Sequence, residues 1–262
     1  MTVSITLYPL GVGGSGANGD HGFWDINLVL RVAGRPFIVD CPRGLYRMLA
    51  DNTERGAMPV TLADYHDIIL THLHFDHAEG LVEIAHSGDV DPDRPINLYA
   101  PASTLDYLWS RAEAYGVVSA AQVEGGAATL DRCFRRCPLD YPHYFGAFRL
   151  HHRPTHHVPN TFAYIFDFGG FTLGCSADTA FDLALIAWLA PCDLILHEVI
   201  WGHWSTVESV RQLHSPLPDM LTLPPDFQRK TLLVHYDGPT AQAQDIGEYR
   251  FLKQQTLYEL VS

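Results

Sequence analysis

Apolar and polar positions change period several times along the chain, and each change marks an element. Near the start, VSITLYPL (residues 3–10), DINLVLRV (25–32) and RPFIVDC (35–41) alternate or run apolar with β-branched residues, the pattern of strands. After Pro42 the stretch RGLYRMLADN spaces as a short amphipathic helix, and HDIIL (66–70) as a buried strand. PINLYA (95–100) reads as a strand and STLDYLWSRAEAYG (103–116) as a helix. FRLHHRP, TFAYIFDF and FTLGCSA follow as successive strands, with Gly169 and Gly170 supplying a hairpin turn. A helix around 180–190, the strand DLILHEV (193–199), a proline-punctuated polar stretch and the strand KTLLVHY (230–236) complete the series. Strands in two batches, each followed by helices, predict an α/β chain with two sheets packed face to face and helices outside. The 262 residues carry no repeat of fixed period, and that length with 47% hydrophobic and 18% charged residues suits one large core, which predicts a single domain over 1–262.

Composition narrows the function. A formal charge of -13 works against an extended nucleic-acid partner, because phosphate-backbone binding depends on Lys and Arg releasing counterions. A small anionic substrate held by bound metal remains compatible with that charge. The opening MTVSITLYPLG lacks a signal peptide's basic start and apolar core, and no apolar run reaches the roughly 18 to 20 residues of a membrane span. The expectation is a cytoplasmic protein that does not enter a membrane; a homodimer is left open. The five cysteines (Cys41, Cys133, Cys137, Cys175, Cys192) are scattered and odd in number, which predicts free thiols. CFRRC at 133–137 has the form of half a zinc site, but no second cysteine pair completes it.

Chemistry concentrates in LTHLHFDHAEG, residues 70–80. In an extended segment positions i and i+2 face the same way, so His72 and His74 can reach one metal from the end of the 66–70 strand. Asp76 and His77 are adjacent at the start of the next helix and must point differently, which favours two metals over one. Further candidates stand at strand ends downstream: His156 or His157 in PTHHVPN, Asp178 in GCSADT, His197 with Glu198 in LILHEV, and His235 in LLVHYD. The Gly-rich GVGGSGANGDHG (11–22) lacks the GK[ST] ending of a P-loop and leads into a strand, so a loop at the rim of a site fits it better than a nucleotide cradle.

THLHFDH resembles the HxHxDH signature of the metallo-beta-lactamase superfamily, and the later motifs match in order over nearly the whole chain. The resemblance implies an αββα sandwich, two mixed beta-sheets flanked by helices, with metals at one edge. It implies one metal held by His72, His74 and His157, a second by Asp76, His77 and His235, and Asp178 bridging both. His157 is preferred over His156 because the family's histidine, six residues, then tyrosine pattern is met with Tyr164. Nitrogen and oxygen donors without cysteine suit Zn²⁺ and tolerate Mn²⁺ or Fe²⁺. Two divalent ions about 3.5 to 4 Å apart can bring a bridging water's pKa near neutrality, making a metal-bridging hydroxide the attacking group, with Asp76 able to orient it.

GCSADT and LILHEVIW resemble the SGDT and HEAT segments of the ribonuclease Z and small phosphodiesterase branch, and His214 in LHSP is placed like that branch's HST histidine, which assists phosphodiester cleavage. Ala177, Val199, Ile200 and Pro216 depart from those motifs. Only twenty residues separate His157 from Asp178, too few for the tRNA-clamping arm that ribonuclease Z usually inserts there. These features together lead to a dinuclear metal-dependent hydrolase, in first place a phosphodiesterase acting on a small phosphodiester such as a cyclic nucleotide, with His214 and Asp76 as catalytic groups. Hydrolysis of esters, thioesters or lactones by the same metals, tRNA cleavage, and a non-catalytic metal-holding role are the alternatives. Asp20, His21, Trp201, His203 and Trp204 are candidates for lining the pocket, by stacking in the case of the aromatics; the roles of His197 and Glu198 stay open, and His151 and His152 read as structural.

Overall fold

A computed structural model describes residues 3–14, 23–111, 130–236 and 246–261. Strands β1 (Ile5–Gly11), β2 (Asn27–Val32), β3 (Arg35–Val39), β4 (Asp67–Ile69), β5 (Ile96–Ala100) and β6 (Phe134–Pro138) form one sheet. A second contains β7 (His143–Tyr144), β8 (Arg149–Pro154), β9 (Phe162–Asp167), β10 (Thr172–Cys175), β11 (Leu194–Glu198), β12 (Thr231–Val234) and β13 (Arg250–Phe251). The last strand, β14 (Tyr258–Val261), returns to the first sheet beside β1, so each sheet has seven strands. Both are mixed. Pairing is antiparallel through β14-β1-β2-β3 and parallel through β3-β4-β5-β6; it is antiparallel through β7-β8-β9-β10 and parallel through β10-β11-β12-β13.

Strand periodicity explains the layers. In β1 to β3, Ile5, Leu7, Leu28, Leu30, Phe37 and Val39 share a core with Leu150, Ala163, Phe166 and Leu233 of the other sheet. Their neighbours Tyr8, Val29 and Ile38 face the opposite way and join a second core with Leu45, Met48, Leu49, Leu81, Ile84, Leu105 and Leu108. Those residues belong to helices α1 (Leu45–Arg55), α3 (Gly80–Ser87) and α4 (Ala102–Arg111), which cover the outside of the first sheet; α2 (Phe75–Ala78) is the single turn that carries the motif. Helices α5 (Leu130–Cys133) and α6 (Leu183–Leu189) follow, the latter capped where the Asp182 carboxylate accepts from the Ala184 N–H at 2.8 Å. Residues buried on both faces of a parallel sheet read as continuous apolar runs, which is why DIIL and LILHEV look alike in sequence. The arrangement is the expected αββα sandwich. Among the described residues no helix is long and apolar enough to cross a membrane.

The expected helix 103–116 runs from Ala102 to Arg111, and residues 112–116 lie outside the described residues. CFRRC is neither loop nor zinc knuckle: Phe134–Pro138 is strand β6, and all five cysteines are free, none among the groups of possible metal ligands in the described residues.

Candidate metal centre

Polar side chains collect where the parallel strands of both sheets end, the position at which open α/β sheets place ligands. After β4 the chain runs through Thr71, His72 and Leu73 to His74, whose extended φ of -66° and ψ of 154° precede α2. This keeps His72 and His74 on one side, with ring centroids 4.9 Å apart. The α2 turn then swings Asp76 and His77 round to a second position. Gly80 lets the motif press against the end of β3: a Cβ there would stand 2.4 Å from the Pro42 carbonyl oxygen and 2.8 Å from Cys41 Sγ. Hydrogen bonds from Cys41 N to His77 O (2.6 Å) and from Gly80 N to Cys41 O (2.9 Å) pin the two segments together.

The second sheet supplies the rest. His157 leaves the β8–β9 connection with its side chain fully buried, whereas His156 next to it has a side chain 74% exposed and faces Asp182 at 3.7 Å. His157 Nε2 lies 3.1 Å from His74 Nδ1. Asp178 follows β10 through Ala177, which takes a left-handed φ of 51° where the related motif has glycine; an alanine tolerates this at a cost of about 1 to 2 kcal/mol. His235 follows β12, also at positive φ, and its Nε2 stands 3.3 Å from both Asp76 Oδ2 and Asp178 Oδ2. Two groups result, His72, His74, His157 and Asp178 in one and Asp76, His77 and His235 in the other, the candidate ligand atoms of each lying within 4.8 Å of one another. Asp178 also reaches the second group, 3.4 Å from His77 Nε2.

These residues fit a metal. His72 Nε2, His77 Nε2, His235 Nδ1 and Asp178 Oδ2 are buried with no hydrogen-bond partner among the described residues, a costly state for apolar surroundings to maintain. Burial holds His72 well below the ordinary imidazole range and His157 near 4, so both present a neutral ring with a lone pair. Burial opposes charge on His77 and His235 too, but the facing Asp178 and Asp76 carboxylates outweigh it and raise both. A divalent cation answers the same carboxylates without that proton. The donor set is nitrogen and oxygen throughout, as Zn²⁺ accepts readily.

His214 stands at the rim. Its Nδ1 is 3.2 Å from Glu198 Oε1 and 3.9 Å from Asp178 Oδ2, and its ring stacks on His235 with centroids 5.2 Å apart. Burial disfavours its charged form, but the Glu198 carboxylate and hydrogen bond prevail and raise its pKa. Glu198 is itself buried and fixed, accepting from Thr179 N at 2.8 Å and Ser215 N at 3.2 Å. His214 also groups geometrically with Asp178 and His235, so distance alone does not separate a ligand from a proton donor.

Other sequence candidates fall elsewhere. His197 is buried, its Nδ1 facing the Glu198 carbonyl at 2.8 Å, and joins none of the ligand groups. Trp201 packs on Phe251, while His203 and Trp204 are exposed and pair with each other. His151 and His152 lie in β8 beside Tyr141, and Asp20 and His21 lie outside the described residues. Sequence reasoning missed Asp40, whose Oδ2 is 2.8 Å from His77 Nδ1. It ends the apolar run FIVD, so the strand-end criterion that found the others applied to it equally.

Comparison with known proteins agrees with this geometry. The family model described as Anti-Pycsar protein Apyc1 matches residues 5–258. The chain belongs to the Anti-Pycsar Apyc1 family. An Anti-Pycsar protein Apyc1 of Paenibacillus harenae is 27% identical over 257 residues, spanning 94% of this chain and 98% of that protein. Ribonuclease Z of Methanopyrus kandleri is 31% identical over a shorter 105 residues, 39% of this chain and 34% of that one. The metallo-beta-lactamase fold protein YhfI from Bacillus subtilis superposes with a TM-score of 0.69 at 15% identity, covering 97% of this chain and 99% of that one. An Anti-Pycsar Apyc1 family member with this fold and this histidine and aspartate cluster is a metal-dependent hydrolase.

Proposed function

We propose that the protein is a dinuclear phosphodiesterase acting on a small cyclic phosphodiester, a cyclic nucleotide in the first instance. His72, His74 and His157 would hold one divalent ion and Asp76, His77 and His235 the other, with Asp178 within reach of both; Zn²⁺ would be the preferred ion, with Mn²⁺ or Fe²⁺ accepted. When bound, such ions polarise phosphoryl oxygens and provide a nucleophile from water at neutral pH. Asp76, anchored beside His235, orients the attacking water through its carboxylate. His214, whose pKa the facing Glu198 carboxylate raises, stands on the rim to protonate the leaving alkoxide and to stabilise the extra negative charge of the pentacoordinate transition state.

The observation that carries this reading is the Glu198 and His214 pair directly above two ligand groups that share Asp178. A thiolate leaving group needs less protonation than an alkoxide, so a proton donor at His214 speaks against the thioester alternative, while esters and lactones, which also expel an alkoxide, are separated from phosphodiesters by the assay below. Against tRNA cleavage, the stretch between His157 and Asp178 folds into β9, a turn at Gly169 and β10, with no inserted arm. The Anti-Pycsar relatives match along nearly their whole length, whereas the ribonuclease Z match covers about a third of that enzyme.

The test is a panel on Zn²⁺- and Mn²⁺-loaded protein: purine and pyrimidine cyclic nucleotides, bis-p-nitrophenyl phosphate, p-nitrophenyl acetate and a tRNA precursor. Cyclic nucleotide turnover should lead. His214→Ala should lower kcat on it by about 10² to 10⁴ with metal content unchanged, and the defect should shrink for the p-nitrophenolate leaving group. Faster cleavage of the acetate, or an unimpaired His214→Ala enzyme, would overturn the proposal, and loss of an ion in that variant would make His214 a ligand.

A further inference from the structure

The geometry points to Asp40 and Thr71 as a positioning pair that fixes the tautomer of one histidine in each metal group; the inference rests on the two-metal reading above. Asp40 is 2% exposed, ends β3, and holds a φ of 63° that non-glycine residues seldom adopt. Its backbone is clamped there: the Asp40 N–H donates to Ile69 O at 3.0 Å, and its carbonyl accepts from Asn27 Nδ2 at 2.6 Å, while Asn27 Oδ1 accepts from Tyr65 OH at 2.9 Å. The strained position therefore aims one carboxylate at the HxHxDH segment and keeps it there.

That carboxylate can only accept. Oδ1 accepts from the Thr71 N–H at 2.8 Å, and Oδ2 stands 2.8 Å from both the Thr71 hydroxyl and His77 Nδ1. The Thr71 hydroxyl has one proton, and two carboxylate oxygens within 3.0 Å claim it. Its lone pairs are left to face His72 Nδ1 at 3.1 Å, which must then be the N–H donor. A further approach to His77 Nδ1 at 3.4 Å is secondary to the Asp40 contact. Both imidazoles are thus held as Nδ1–H tautomers with Nε2 carrying the lone pair. The nitrogens so freed, His72 Nε2 and His77 Nε2, are both buried without a hydrogen-bond partner among the described residues. One carboxylate reaches the first group through a threonine hydroxyl and the second directly, so the two ions share a single orienting residue.

Outer hydrogen bonds of this kind typically change metal affinity about 10 to 100-fold. In Zn²⁺ titrations of the full chain, Asp40→Asn should weaken both ions by about that factor. Thr71→Val should weaken one ion about tenfold and the other much less, and Thr71→Ser should restore wild-type binding. Long-range ¹H–¹⁵N spectra of the Zn²⁺-loaded protein should show Nδ1–H tautomers on His72 and His77, with only the His72 signal altered in Thr71→Val. An Nε2–H tautomer on either ring of the wild type, equal loss of both ions in Thr71→Val, or failure of serine to rescue would overturn the inference. The Thr71 variants decide it alone if Asp40→Asn does not fold. A wild type that binds one ion sinks the two-metal reading itself; two tight ions indifferent to Thr71→Val sink only the positioning pair.

Discussion

Asp178 approaches His72, His157, His77 and His235 at 3.3 to 3.7 Å, so a single carboxylate offsets four imidazoles drawn from two ligand groups. In the proposed two-ion site, replacing it would leave two divalent charges facing each other without a bridge. Asp178→Ala should therefore bind less than one ion per chain under conditions where the wild type binds two, measured by elemental analysis, and should lose more activity than any single histidine variant. Retention of both ions would show that the bridge lies elsewhere. The neighbouring histidines 156 and 157 give a sharper contrast. His157 is buried with Nδ1 committed to the Leu213 carbonyl at 2.8 Å, which leaves Nε2 to coordinate, whereas His156 is solvent-exposed. His157→Ala should cost one ion and His156→Ala should leave both in place. The reverse outcome would mean that the pattern ending at Tyr164 assigns the wrong register.

At the scale of elements, Val12 and Gly14, in the described start of the Gly-rich segment after β1, lie against His235, a contact that the sequence does not show. Val12 O accepts from His235 N at 2.7 Å, and a Cβ on Gly14 would come within 2.9 Å of His235 Cε1 and 3.0 Å of Nδ1. Gly14→Ala should tilt the His235 ring and weaken one ion while leaving the other, in the same titrations; unchanged binding of both would mean the loop yields instead. The central parallel strands were legible because both of their faces are buried, which makes runs such as DIIL and LILHE strongly apolar and places polar residues at their ends. β7 and β13 are two residues each and β14 sits in a mixed tail, too short or too polar to show a period of two. The clustered histidines and aspartates were legible for the same reason as the strands: they occur where apolar runs stop. Asp40 and Glu198 also end apolar runs and met the same criterion, but their roles and that of Thr71 were not legible, because they depend on which side chains the sandwich brings together from positions up to 37 residues apart.

For the whole molecule, each ligand group draws on both sheets. His72, His74, Asp76 and His77 belong to the connection after β4, and His157, Asp178 and His235 to connections of the second sheet. Ions bound as proposed would therefore tie together one edge of the sandwich, where the protein alone gathers buried carboxylates and imidazoles that carry unsatisfied atoms. Whatever binds the folded chain and not the unfolded one stabilises it by mass action, about 2.7 kcal/mol per site at a free concentration of 100 Kd. A chain of this size responds with roughly 2 to 4 °C in Tm per kcal/mol, so reloading both sites after chelation should raise Tm by on the order of 10 °C or more. Substitutions that remove a ligand should reduce the gain in proportion to the ions lost, with Asp178→Ala showing least. If residues 1–262 fold as one domain, calorimetry should record one cooperative transition that moves as a unit with metal concentration. Coincident transitions for chelated and reloaded protein would mean that the ions do not bridge the sheets, and two transitions of which only one moves would assign the ligand groups to separately folding parts.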